Sequence, residues 1–437
     1  MTRRAPLRAV LPFLVARPAC AALLDLPDPI LDNGLLPDGG DPAKAETGSS
    51  ADGGSADDSA SGTDAPGDSA AAADGDADTA APTCSADLMT SLQNCGACGH
   101  DCSGGACDKG VCTVARDGVV TFYGALGLGQ VGGQLVIGSG SSSNAGAFSC
   151  SKTGCVASGV TRLTTDVDPA TTTVRSVAAI GSYVYWAENY KAGYGAYRTD
   201  LAGGNTVRVS QGDVFSKSAS IAVSDAGIAW GQNDSNQRVG FCPLPNCSGA
   251  ATLLPNAPGN ATLGYSSAVE FAPDGSIVWV ENSAIVRCTT PACGGGPQTI
   301  INGTGHANLG LAISGTTVYW TAATDDAIKS CPITGCPGGV ATEVISGQSE
   351  STLVGLAISG STLAWTLSGT LSGDGGLTTD GIVRKCDVSD CPGTVVTIAA
   401  NEAAPIRTII DANSIYWLNQ GRTNYLNGAS SIKKVPR

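Results

Sequence analysis

Two histidines are all that this 437-residue chain contains, and of the two His306 stands where acid–base chemistry can be imagined. An imidazole within reach of Glu281 or Asp325 would make a minimal general acid–base pair, suited to a hydrolase or lyase acting on envelope polysaccharide or peptide. No nucleophile or metal set accompanies it. The loop Asn302-Gly303-Thr304-Gly305 suits His306 equally well as an exposed polar residue. Glu188-Asn189 and Glu281-Asn282 follow Trp186 and Trp279 at one spacing, and Asn419 follows Trp417. Polar groups recurring at one register can line a ligand surface, or bond the strand-end amides of neighbouring units. The expectation is a non-catalytic binding surface made of Glu188, Asn189, Glu281, Asn282, His306, Asp325 and Asn419, with no cofactor.

Cysteine supplies the other chemistry. Of seventeen, one stands alone at Cys20, six crowd between Cys84 and Cys112, and ten form C-x4-C pairs. Those pairs are Cys150/Cys155, Cys242/Cys247, Cys288/Cys293, Cys331/Cys336 and Cys386/Cys391. Regular spacing with so few histidines reads as disulfides formed in an oxidising compartment. Zinc would need four ligands drawn together, which pairs spread around a large ring cannot easily provide. His100 among Cys95, Cys98 and Cys102 hints at a metal, but oxidised thiols cannot act as thiolate ligands. No metal is expected.

The elements that must hold these residues emerge from the six tryptophans, Trp186, Trp230, Trp279, Trp320, Trp365 and Trp417, spaced 41 to 52 residues apart. Each ends an apolar strand that follows a tight turn, as in SGTTVYW and SGSTLAW. A polar loop and a third strand follow, and in four repeats that strand runs into a C-x4-C hairpin. Four short antiparallel strands at a period in the forties are the mark of a propeller blade. A seventh unit lacking tryptophan surrounds residues 132–137. After Trp417 the sequence supplies only one more strand, so residues 118–123 are expected to pair with it and close a seven-bladed ring, burying both edges. The VYWA, VYWT and IYWL strands resemble those of YWTD-type and related NHL-like β-propellers. The aspartate of that motif is replaced by Glu188, Gln232, Glu281 and Asn419, so the resemblance implies the all-β architecture alone.

In such a fold the loops between second and third strands share a face with the connections between blades. That face collects the polar residues above and the insertion at residues 368–380, whereas the stapled hairpins opposite keep nearly one length. Length variation on one face of a repeat array marks its binding face.

Residues 84–113 form a separate module whose six cysteines must substitute for a core. Its run Asn94-Cys95-Gly96-Ala97-Cys98-Gly99, with Cys102, Cys107 and Cys112, resembles the cysteine-rich repeat of the stigma-specific Stig1-like family, found also in secreted proteins of myxobacterial type. That resemblance implies an extracellular module and no catalytic residue. Residues 21–83 are expected to form a disordered acidic linker: from about residue 33 they are Ala, Asp, Gly and Ser with scattered Pro, a composition that cannot offset the entropy of ordering. Between residues 33 and 83 eleven acidic residues face one basic residue, giving −10 of the chain's formal −14. The charge therefore belongs to a tether, and no basic patch suggests nucleic acid. Residues 1–20 read as an export signal: Arg3, Arg4 and Arg8 precede a short apolar run, and Ala19 precedes Cys20 as in a lipidated bacterial cysteine. The lipobox leucine is replaced by Arg17. The expected location is secreted or envelope-anchored, on the bacterial outer surface or in the periplasm. The expected partner is a protein or glycan at the cell surface, with membrane attachment only through an N-terminal lipid. The propeller is expected to span residues 114–437.

Overall fold

The computed structural model describes residues 87–102, 106–116, 125–140, 145–153, 155, 159–166, 173–188, 195–209, 218–232, 239–244, 252–256, 266–281, 284–289, 293–303, 310–348, 353–370, 379–421 and 430–437. Seven antiparallel sheets result. Their innermost strands are Ala125–Val131, Val174–Ile180, Ser218–Ser224, Ser266–Phe271, Leu311–Ser314, Leu353–Ser359 and Pro405–Ile410, in blades 1 to 7. Each inner strand packs against the next, and that of blade 7 against that of blade 1, so the ring closes on itself. The chain is a seven-bladed β-propeller with four-stranded blades.

Local chemistry explains the blade. Turns between first and second strands need left-handed backbone, and Gly315 and Gly360 supply it at φ +57°. The second strand then carries the tryptophan, and all six indoles are fully buried. Each fills the space between its own blade and the preceding one: Trp320 packs on Val278, Val280 and Ile285 of blade 4, and Trp365 on Ile328 of blade 5. The staples form as expected: Cys150–Cys155, Cys288–Cys293, Cys331–Cys336 and Cys386–Cys391. Cys242 is disulfide-bonded as well, and Cys247 lies outside the described residues. Blade 2, which lacks the pair, ties the same turn with hydrogen bonds. There the Thr199 hydroxyl donates to the Gly204 carbonyl at 2.7 Å, and the Gly203 amide donates to that of Asp200 at 2.8 Å.

The closing strand is not the expected one. Residues 117–124 lie outside the described residues, and Val111–Arg116 pairs with the last strand, Ser431–Pro436, with Cys112 opposite Lys434 and Arg116 opposite Ser431. A further strand, Ala106–Asp108, extends this sheet to five. The reason is covalent as well as hydrophobic. Cys112 is bonded to Cys102, and Cys95 to Cys107, which ties this segment into a module that itself packs on blade 7. The strand crosses the boundary expected at residue 113, and the module packs directly on the seam. Cys95, Cys102 and Cys112 share one buried cluster with Leu128, Ile137, Tyr416 and Leu418. Lys434 donates its ammonium to the Asp101 carbonyl at 2.6 Å.

Candidate functional site

Glu188, Glu281 and Asn419 occupy equivalent positions, each ending the second strand of its blade two residues after the tryptophan. The ring spreads them over blades 2, 4 and 7 and brings no two of them together. Glu281 is 2% exposed, and its carboxylate accepts the Trp279 indole N–H at 3.1 Å. Asn419 is equally buried and donates its amide to Glu402 and, at 3.2 Å, to the Ser431 hydroxyl. Glu281 thus secures its own strand's indole, and Asn419 ties blade 7 to the end of blade 6. Glu402, which the sequence did not single out, accepts three donors: the Trp417 indole at 3.1 Å, the Lys433 ammonium at 2.8 Å and Asn419. Gln348 serves the Trp365 indole at 3.2 Å and the Arg384 guanidinium at 2.8 Å. Glu402 ends the fourth strand of blade 6 and Gln348 follows that of blade 5, at different distances from their tryptophans, so no spacing signals them.

Asp325 does stand exposed, in a 3-10 turn at Ala323–Asp325, and pairs with Lys329. The hydrogen bond from that ammonium holds its carboxyl below the usual range. Asn189, Asn282, His306 and Cys20 lie outside the described residues. At the base of the longest loop, the Thr370 amide and hydroxyl donate to the Asp380 carboxylate at 3.0 and 2.7 Å, pinching the ends of the insertion together. Among the described residues the one cluster tight enough to hold a metal is Cys95, Cys102 and Cys112, and all three sulfurs are consumed in disulfides.

The second site is the axial channel, and it was not anticipated. Strand register lets the seven inner strands be compared level by level, because Leu128, Val177, Ile221, Val269, Leu311, Leu356 and Thr408 each stand opposite the tryptophan or, in blade 1, Ile137. One residue earlier come Gly127, Ser176, Ser220, Ala268, Gly310 and Gly355, with Arg407 in blade 7. One residue later come Gly129, Ala178, Ala222, Ala312 and Ala357, with Ile409 in blade 7 and Glu270 in blade 4. Small residues let the backbones meet: a Cβ at Gly127 would lie 3.2 Å from the Ser176 Cα, and one at Gly355 3.1 Å from the Arg407 Cα. Six of the seven inner strands also break register just upstream of this level; such bulges re-aim side chains at rims and sites.

Around the axis this leaves a cavity of about 140 Å³, lined by residues of all seven inner strands and containing Glu270 and Arg407. The Glu270 side chain is exposed to water in the channel, and the strands packed around it thin that water. That desolvation pushes its carboxyl up to about 7, with Arg407 pulling in the opposite direction. Desolvation likewise lowers Arg407, opposed by Glu270.

No protein-family profile matches the chain, and no curated protein matches it. Solved structures do match. The nidogen/laminin complex is 13% identical over 61% of this chain and 92% of that chain, with a TM-score of 0.42. The computationally designed Ika8 protein is 13% identical over 73% and 99%, with a TM-score of 0.46. YCF48 bound to D1 peptide is 10% identical over 74% and 95%, with a TM-score of 0.51. At such identities the likeness is one of fold.

Proposed function

We propose that this chain is a non-catalytic extracellular binding module whose loop face, on the tryptophan side of the ring, recognises a protein or peptide at a cell surface. The observation that carries the reading is the contrast between the faces. Staples lock one face into short turns of equal length, while the other bears Asp325 and the insertion pinched at Thr370 and Asp380. Binding residues favour loops set on a rigid scaffold. Glu281 and Asn419 act as supports beneath that surface, and Glu188, Asn189, Asn282 and His306 are proposed to contribute to it. The YCF48 structure holds a peptide, which is a property of that propeller; here it is consistent with a peptide-sized partner. Residues 21–83 serve as a spacer, the module at 84–113 as an extracellular Stig1-like module, and Cys20 as a lipid anchor. Abundant disulfides favour an oxidising compartment, and among the described residues no helix is long and apolar enough to cross a membrane.

The hydrolase or lyase alternative gains nothing from the described carboxylates, because Glu281 is committed to an indole and Asp325 to an ammonium. The test is a screen of the full chain against cell-envelope proteins, peptides and glycans. Replacing residues 371–378 by two glycines should cost the hit at least tenfold in affinity while leaving the melting temperature within about 2 °C. Retained binding in that variant, with loss on substituting the Ile333-Thr334 hairpin turn, would place the site on the opposite face.

A further inference from the structure

Seven inner strands of this length offer many positions for charge, yet they carry only Arg175, Glu270 and Arg407. Arg175 does not line the axial cavity; Glu270 and Arg407 do. They are mounted on blades 4 and 7, three places apart in a ring of seven and therefore across the channel from each other. Register sets Arg407 one residue before the tryptophan-facing level and Glu270 one residue after it. An offset of two residues amounts to about 7 Å along the axis. The two charges influence each other but do not meet, and neither side chain has a hydrogen bond or ion pair with any described residue.

Opposite charges left apart in a narrow channel wall are costly for a protein that uses them only for structure. An apolar pair would pack the channel more favourably, and the surrounding rings of Gly, Ser and Ala show that this chain can build that wall without charge. Separation with free valences on both sides is what a bridging guest requires. Arg407 offers a forked guanidinium suited to a carboxylate, and Glu270 an acceptor suited to an ammonium. The space between is modest. At about 140 Å³ it falls below the ~300–1,000 Å³ of drug-sized pockets and matches cavities of ~150 Å³ that hold a benzene-sized guest.

The geometry points to the axial channel as a binding site for a small zwitterion of about six to eight heavy atoms, its carboxylate on Arg407 and its ammonium on Glu270. The Arg407 level faces the loop side of the ring, because the inner strand of each blade enters from that face. The carboxylate end of the guest is thus presented toward the loop surface. The channel site stands independently of what that surface binds, since it rests on residues of the inner strands alone.

The probes are glycine, 3-aminopropanoate, 4-aminobutanoate and 5-aminopentanoate, a series that lengthens the span one methylene at a time. Butanoate and butylamine serve as single-charge controls. Calorimetry and thermal shift on the full chain should show saturable binding in the range of about 0.1–10 mM, with one length preferred at least threefold over its neighbours. Arg407→Gln and Glu270→Gln should each weaken that binding at least tenfold, and Arg407→Lys should recover part of it. Should a variant fail to fold, the wild-type chain still decides the matter. Carbon-13 NMR of the Glu270 carboxyl should show its titration midpoint fall when the preferred amino acid is added, because an ammonium now faces it. Absence of saturable binding by every member up to about 50 mM, equal binding of butanoate alone, or an unmoved Glu270 midpoint would each overturn the proposal.

Discussion

The interface between blades 4 and 5 and the seam between blades 7 and 1 solve the same packing problem with different materials. In the first, Trp320 reaches across to Val278, Val280 and Ile285, and one large side chain fills the wedge between two splayed sheets. At the seam no tryptophan is available, since Ile137 stands at the corresponding position opposite Leu128. The volume is made up from outside the repeat: Cys95, Cys102 and Cys112 of the cysteine module complete the cluster with Tyr416, Leu418 and Ile432. Five interfaces of the ring follow the first pattern along with blades 4 and 5, in clusters that each hold one indole. A repeat can therefore omit its signature residue where a neighbouring domain brings the missing surface, and the closing strand is the element that brings it.

The largest effect should come from removing that strand. A chain beginning at residue 117 loses the partner of Ser431–Pro436 and exposes that edge, so it should melt without a cooperative transition. A chain beginning at residue 84 should melt like the full protein, by circular dichroism. Equal melting of the two would show that the seam closes without the module. Next, Trp320→Ala should cost about 3–5 kcal/mol and Ile137→Ala somewhat less, about 2–4 kcal/mol, in urea unfolding. A seam residue costing more than the tryptophan would invert the comparison. Replacing Cys102 and Cys112 by alanine should cost about 3 kcal/mol, against about 2 kcal/mol for Cys331 with Cys336, because the closed loop is longer, a separation of 10 against 5.

The remaining effects are in pH, and they separate seam from channel by sign. His100 lies in the seam, its Nδ1 2.6 Å from the Cys95 carbonyl, and desolvation lowers its pKa below the ordinary 6.5. The folded state then holds fewer protons than the unfolded state, and stability is lost as pH falls below about 6.5. Glu270 behaves in reverse. Raised from 4.5 to about 7, it keeps a proton in the folded state that the unfolded chain has released, so stability is lost as pH rises between those values. His100→Gln should flatten the acid side of a stability–pH curve and Glu270→Gln the side approaching neutrality. A variant that flattened the other limb would show that the group is misassigned.

Much of this was legible because it is local. The blade repeat is written in turns and strands a few residues apart, and Trp320 or Trp365 announces its own strand. C-x4-C staples close within one hairpin, so Cys331 has no nearer partner than Cys336. Even the blade count survives a wrong closing strand, since it depends on repeats and not on which edge seals them. Three features were decided only by the tertiary structure, and for one reason: each joins residues far apart in sequence through pairings that leave no periodic trace. Val111–Arg116 prevailed over residues 118–123 because disulfides tie it into a module that packs on blade 7. Glu402 and Gln348 became indole acceptors because the ring carries the end of one blade over the next. Glu270 and Arg407 are unremarkable in their own strands. They become a site only when ring closure sets blades 4 and 7 across one narrow channel.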